Sequence, residues 1–281
     1  MLLNLQTATP FLKWVGGKTQ NLREYRQLFP KIIQTYHEPF LGGSAVFFHL
    51  LRNGLIQKAI LSDMNTELII TYQELQRCPQ DVIDKLRIHN ALHSELYYYN
   101  VREMDRNESK MSRIEMAARM IYLNKTCYNG LYRVNQKGQF NTPKGRYTNP
   151  KILDVENLYA VHDALQSIEI FCQDVFQTEE NMQSGDFVFF DPPYDPISAT
   201  SNFTAYTSQG FSNEQQIKLA QMYSRLTEKG VQCLLSNSDT EFIRELYADY
   251  QIYSVCANRM LNCKSSQRGK VDEVVIANYT I

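Results

Sequence analysis

Asp191-Pro192-Pro193-Tyr194 stands directly behind the apolar run Phe187 to Phe190. A carboxylate, two prolines and an aromatic ring at the end of a buried strand make a rigid group of acceptors. The prolines fix φ near about −65° and contribute no N–H, so the turn offers carbonyl oxygens and no donors of its own. An amino group on a flat heteroaromatic ring could donate one hydrogen to Asp191 and the other to the Pro192 carbonyl, while Tyr194 stacks on the ring's face. The chemistry so outlined is the holding of a planar amine.

A second constellation is Glu38-Pro39-Phe40-Leu41-Gly42-Gly43-Ser44. It follows the apolar pair Ile32-Ile33, read as a strand, and precedes the helix-like Ala45 to Leu50. Glycines between a strand and a helix let backbone approach a ligand at the carboxyl end of a sheet. The spacing matches neither the Gly-x-Gly-x-x-Gly dinucleotide pattern nor a phosphate loop. Asp63 ends the run Ala59-Ile60-Leu61, about 20 residues beyond the glycines, where an acid meets ribose hydroxyls in such βαβ units. The third constellation, Phe11-Leu12-Lys13-Trp14-Val15-Gly16-Gly17-Lys18, could set a ring and an ammonium against a ligand carrying a carboxylate.

The elements that must position these groups alternate. Residues 1–70 and 155–281 carry short apolar runs between helical patterns, which predicts a mostly parallel sheet covered by helices. Strands are expected at Ala59 to Leu61, Ile168 to Cys172, Phe187 to Phe190, Val231 to Leu235, Gln251 to Val255 and Val274 to Tyr279. Ser212 with Gln215 reads as a capping box opening a helix that Gly230 closes, and Thr240 caps another. Residues 71–154 read as an insert, helical at first and then irregular from 124 to 151. An irregular stretch of that length in a compact chain is usually functional.

The chain has 281 residues, 43% apolar and 21% charged, with a net charge of −1. No run reaches the ~18 apolar residues of a membrane span, and the N-terminus lacks a signal-peptide pattern, so a cytoplasmic protein is expected. The six cysteines form no Cys-x-x-Cys pair and the five histidines do not cluster near them. That argues for reduced thiols and no metal site, with a Cys256–Cys263 bridge a remote alternative. Charge distribution is more informative than its sum. From Met116 to Leu153 there is no acid, yet Arg119, Lys125, Arg133, Lys137, Lys144, Arg146 and Lys151 occur among Tyr122, Tyr128, Tyr132, Phe140 and Tyr147. Basic groups interleaved with rings predict a local footprint for a polyanion. Arg259, Lys264, Arg268 and Lys270 form a second basic segment that could clamp phosphates.

Taken in order, Phe11 to Lys18, Glu38 to Phe47, Asp63, Lys125 to Tyr147, Asp191 to Tyr194 and Arg268 to Glu273 resemble the Dam/DpnM family of DNA adenine-N6 methyltransferases. The order of the motifs is that of the alpha group, and the likeness covers nearly the whole chain. The resemblance implies an α/β, Rossmann-like S-adenosylmethionine-dependent catalytic domain (1–70 and 155–281) with a mostly helical DNA-recognition insert (71–154). It implies S-adenosylmethionine in a pocket lined by Trp14, Lys18, Phe40, Gly42 and Asp63, with Asp191 orienting both donor and target, and Asp174 a weaker candidate for the adenine edge. It further implies double-stranded DNA as partner, base flipping, a wedge at Tyr128 beside Asn129, guanine readout by Arg133 and a second recognition element at Pro143 and Arg146. GATC is the expected site. A restriction-modification setting, with an endonuclease acting on the same site without stable complex, is also expected. Cytosine-N4 methylation and an inactive DNA-binding regulator are the alternatives. One departure stands out: the family usually has Gly where Ser44 stands, so a positive φ there would strain the turn.

Overall fold

The computed structural model describes residues 8–106, 111–196, 211–258 and 270–280. In chain order the named elements are α1 (Leu22–Tyr25), β1 (Tyr36–Glu38), α2 (Ala45–Arg52), β2 (Ala59–Asp63), α3 (Thr66–Arg77), α4 (Pro79–Ala91), α5 (Glu95–Arg102) and α6 (Arg113–Thr126). They continue with α7 (Val155–Leu165), β3 (Glu169–Cys172), β4 (Phe187–Phe190), α8 (Asn213–Glu228), β5 (Gln232–Ser238), α9 (Glu241–Leu246), β6 (Gln251–Asn258) and β7 (Lys270–Ala277).

The strands form one seven-stranded sheet in the order β3-β2-β1-β4-β5-β7-β6. Neighbours from β3 to β5 are parallel, and β7 runs antiparallel between β5 and β6. This mixed α/β, Rossmann-like arrangement has a consequence for function. The chain leaves β1 for β2 and β3 on one side and returns through β4 on the other, so a crevice opens between the carboxyl ends of β1 and β4, where open α/β sheets bind ligands. The glycine turn follows β1 and Asp191 follows β4, so both lie at that crevice.

Strand β4 is Phe-Val-Phe-Phe with all four residues buried, as a central parallel strand covered on both faces requires. Strand β1 corrects the sequence reading. Ile32 is 81% exposed, and the strand begins at Tyr36, where Tyr36 N donates to Lys58 O and Phe187 N to Thr35 O. An isolated apolar pair carries no periodicity. The three residues of β1, two of them the polar His37 and Glu38, are all buried because the sheet covers them on both sides.

The capping signals hold. Ser212 and Gln215 form a reciprocal capping box at α8, Thr240 caps α9 by accepting from Ile243 N, and Gly230 follows α8 with φ +81°. Helix α8 buries Leu219, Met222, Tyr223 and Leu226 against the sheet. Helix α6, opened by a capping box of Ser112 and Glu115, packs on α3 and α4. Helix α3 also touches β2, β3 and α7 and runs across residue 70, so the apolar core continues from the sheet into the helical layer. Beyond α6 the chain is irregular, held by the bridges Cys127↔Lys144 and Val134↔Phe140.

Candidate active site and nucleic-acid interface

Asp191 projects from the end of β4 into a dense polar network. Lys18 Nζ donates to both its oxygens, at 2.6 and 2.7 Å, and to Gly16 O at 2.7 Å. Ser236 Oγ on β5 donates to Asp191 Oδ1 at 2.7 Å. Lys18 is 4% exposed, so this ion pair is formed largely out of water. Such a pair depends on every partner staying in place, since loss of one leaves a desolvated charge.

The residues after Asp191 are pinned from behind. Gln216 on α8 donates to Pro193 O at 3.0 Å and accepts from Asn237 Nδ2 at 3.2 Å. The Asn237 Oδ1 atom accepts from Asp195 N at 2.9 Å, and Thr240 Oγ1 donates to Asp195 Oδ2 at 2.7 Å. Pro192 is buried. The Tyr194 hydroxyl donates to Glu273 on β7 at 2.5 Å, and Lys18 Nζ lies 4.9 Å from its ring centroid. Burial, with lesser effects of Tyr25, Asp191 and Glu273, pushes the Tyr194 phenol well up, so it remains a donor.

Across the crevice, Gly42 has φ +46°, and a Cβ there would lie 2.7 Å from Trp14 Cδ1. The position therefore needs glycine twice, for its backbone and for the indole against it. Gly42 N donates to Asp63 Oδ2 at 3.2 Å and Asn65 N to Asp63 Oδ1 at 2.9 Å, which fixes the Asp63 carboxylate beside the turn. Burial outweighs these donors and raises its pKa. Phe40 meets Phe211 edge-on at 5.8 Å. Asp174 accepts from Phe176 N at 2.9 Å and caps the short turn Val175–Gln177. Ser44 does adopt the left-handed conformation, φ +56°, while its hydroxyl donates to the buried Glu38 at 3.3 Å. Burial pushes Glu38 up to about 8.

The residues expected to meet DNA lie on the outside of the irregular segment that follows α6. Tyr128 is 46% exposed, next to Asn129 (φ +54°) and Gly130 (φ +67°). Asn is among the few residues that tolerate this region. Tyr128 N donates to Pro143 O at 2.9 Å and Gly145 N to Thr126 O at 2.8 Å, so backbone bonds bring the Tyr128 turn and the Pro143–Arg146 turn side by side. Arg133, Pro143 and Arg146 are all exposed, and Arg133 Nε donates to Asn141 Oδ1 at 2.7 Å.

Part of the predicted footprint is overturned. Arg119 is 1% exposed and paired with Glu67 at 3.1 Å and Asp105 at 2.7 Å. Tyr122, Tyr132 and Phe140 are buried. Arg119 and Tyr122 are core because α6 is enclosed by its neighbours, and Tyr132 and Phe140, beyond α6, pack on each other in the same core. Burial lowers Lys125 to about 8. The exposed aromatic that remains is Tyr128, with Tyr147 half-buried beneath Lys13 Nζ at 4.1 Å from its centroid.

Several site residues carry no sequence signal of their own. Ser236, Gln216, Asn237 and Tyr25 reach the rim from distant elements, and Glu273, the end of the Arg268–Glu273 motif, meets Tyr194 there. The same holds for the tie between the two regions. Asn124 Oδ1 accepts from Lys13 N at 2.7 Å, its Nδ2 donates to Lys13 O at 2.7 Å, and Trp14 stacks on Tyr132 with centroids 5.8 Å apart. Arg259, Lys264, Arg268 and Cys263, and the side chains of Cys256 and Lys270, lie outside the described residues. Among the described residues no set of acidic, His and Cys side chains is grouped to hold a metal ion, and no helix is long and apolar enough to cross a membrane.

A sheet open at its switch point onto an Asp-Pro-Pro-Tyr rim, opposite a glycine turn bonded to an acid, defines a methyltransferase acting on an amino group. Residues 14–261 match the model of the D12 class N6 adenine-specific DNA methyltransferase family, and the chain belongs to that family. It is similar to the type II methyltransferase M1.LlaDCHI of Lactococcus lactis subsp. cremoris, 44% identical over 96% of this chain and 95% of that one. It is also similar to the type II methyltransferase M.MjaIII of Methanocaldococcus jannaschii, 41% identical over 96% and 99%. The DNA adenine methylase of Escherichia coli K12 is 34% identical over 94% and 93%. The protein is thus an adenine-specific DNA methyltransferase, and its family implies S-adenosylmethionine as methyl donor. The donor set fits that molecule: the adjacent Lys18 ammonium and Asp191 carboxylate are complementary to a zwitterionic amino-acid end, and Asp63 to a ribose diol.

Proposed function

We propose that the enzyme methylates N6 of adenine in GATC within double-stranded DNA, turning the target base out of the helix, and that it acts as the modification partner of an endonuclease cutting the same site. The observation that carries the chemistry is the juxtaposition of Asp191 and Lys18 at the β1/β4 crevice, with Tyr194 held beside them. The greater likeness to proteins named type II methyltransferases than to one named DNA adenine methylase favours the restriction-modification setting. GATC rests on the resemblance of the Tyr128–Tyr147 segment.

Bound S-adenosylmethionine supplies an electrophilic sulfonium methyl group. Lys18 and Asp63 bind and orient the donor, with Trp14, Phe40 and Gly42 shaping the pocket and Asp174 available at its adenine edge. Adenine N6 is a weak nucleophile because its lone pair is delocalised into the ring. Asp191 and the Pro192 carbonyl accept its two hydrogens, favour a pyramidal nitrogen, and aim the lone pair. The pocket so supplies alignment and a carboxylate for the positive charge that grows on N6. Lys18 must release at least part of Asp191 for this, which a donor carboxylate drawing the ammonium away would achieve.

The target amine lies inside the duplex stack, and extruding a base costs a few kcal/mol. Tyr194 recovers part of that by stacking, about 1–3 kcal/mol per base. Tyr128, exposed beside Asn129 on a turn, is the wedge. Arg133, Pro143 and Arg146 read the flanking bases. With 2-aminopurine as the target base, fluorescence should rise when the enzyme binds, and the rise should shrink for Tyr128→Ala; an unchanged rise would remove Tyr128 from the flipping step.

The test of the whole reading is methyl transfer to short duplexes differing at each base of GATC, with base analysis of the product. N6-methyladenine confined to GATC supports it, and equal transfer to altered sites contradicts the specificity.

A further inference from the structure

Glu273 lies on β7 opposite Ser238 of β5 and Val255 of β6, buried, with its carboxylate turned toward the active-site rim. Its Oε1 accepts the hydroxyls of both Tyr194 and Tyr25, and its Oε2 accepts from Asn21 Nδ2 at 3.0 Å. Burial first, and then the Glu273 charge, pushes the Tyr25 phenol well up, so both phenols stay protonated and donate. Among the described residues, none of its partners carries a charge. A buried carboxylate with neutral partners costs desolvation that an apolar side chain at this strand position would avoid, so stability alone is a poor account of it.

What Glu273 touches suggests another. Tyr25 ends α1 and Asn21 precedes it, just beyond Lys18, while Tyr194 belongs to the Asp-Pro-Pro-Tyr turn. One carboxylate thereby ties the donor side of the crevice to the ring at the target side. We propose that Glu273 is a positioning residue for methyl transfer, fixing the plane of the Tyr194 ring through its hydroxyl and enriching the ring's π face. This rests on the reading that Tyr194 stacks on the target adenine. A phenol bonded to a carboxylate is polarised toward phenolate, and an electron-richer face attracts the positive charge growing on the stacked base. The ring already has an ammonium near it, Lys18 Nζ at 4.9 Å.

The experiment compares Glu273→Gln, Tyr194→Phe, their double variant and Tyr194→Ala in single-turnover methyl transfer to a GATC duplex at saturating donor. Reaction amplitude, DNA KM and thermal midpoint are followed alongside. Glu273→Gln and Tyr194→Phe should each slow the single-turnover rate about tenfold at full amplitude and unchanged DNA KM, a modest misalignment effect. Because both act through one bond, the double variant should be no slower than the slower single. A merely structural role would lower amplitude and midpoint and leave the rate of the folded fraction intact, overturning the proposal. Multiplicative losses in the double variant would overturn it too. Should Glu273→Gln fail to fold, Tyr194→Phe decides alone, since a parental rate there means the bond positions nothing. Tyr194→Ala separates the two layers: a parental rate refutes stacking itself, whereas a large loss there with parental rates in the other single variants refutes only Glu273.

Discussion

The rim around Asp191 and the proposed recognition face around Tyr128 are built on opposite plans. Around Asp191, side chains from three separate parts of the chain converge, and the acid is held by Lys18 and Ser236 while its loop is tied down by Gln216 and Asn237. Around Tyr128, backbone bonds do the holding, and the side chains of Tyr128, Arg133, Pro143 and Arg146 face solvent, with Arg133 steadied by Asn141. Methyl transfer needs a fixed geometry before the substrate arrives. Reading DNA needs groups that can still settle on base edges and phosphates. Their separation implies that damage to one should leave the other working.

The largest expected break is Asp191→Ala, which should cut kcat by about a hundred- to a thousand-fold, as removal of a preorganised electrostatic group does. DNA affinity measured by anisotropy should stay near parental. Next comes Arg133→Ala, which on the proposed reading would remove a bidentate guanine contact and erode discrimination at one base position by about 1–3 kcal/mol. Competition among single-base variants of GATC measures it, and an equal loss on all sequences would reassign Arg133 to phosphate binding.

Two smaller effects probe the turn that follows β1, on the catalytic side. Glu38, normally near 4.5 and raised to about 8 by burial, is protonated in the folded chain where the unfolded chain has lost its proton. Folding then takes up a proton between those values, so this contribution is complete below about 4.5 and declines as pH rises through about 8. Urea unfolding across that range should show stability falling with pH in the parent and a flatter profile in Glu38→Gln. Ser44→Gly relieves a left-handed serine and should raise stability by up to about 1 kcal/mol. A drop instead would mean the Ser44 hydroxyl's bond to Glu38 outweighs the backbone strain.

How much of this was legible in sequence follows from how local each signal is. The Phe187–Phe190 strand with its Asp-Pro-Pro-Tyr turn, the capping box at Ser212 and the Thr240 cap are decided within a few residues, and they appear where the pattern put them. Strand β1 did not announce itself, because three residues of which two are polar are strand only by virtue of β2 and β4 beside them. Arg119 and Tyr122 misled for the related reason that composition says nothing about which face of α6 is enclosed. The supports of Asp191 and Tyr194 are polar residues on other elements, with sequence separations such as 173 for Lys18 and 79 for Glu273, and only folding brings them together. Lys18 stands out in its own segment, but nothing local says that it pairs with Asp191, and Ser236, Gln216 and Asn237 have no local signature at all.

The most direct test sets the two regions against each other. Single-turnover methylation, with N6-methyladenine quantified in the product, is measured for Asp191→Ala and Arg133→Ala on GATC and on duplexes altered at one base. The expected result is that Asp191→Ala is slowed by a similar factor on every duplex that the parent methylates, with the parent's order of preference kept, while Arg133→Ala reorders the duplexes. Near-parental transfer by Asp191→Ala would contradict the clamp on the exocyclic amine, and with it the account.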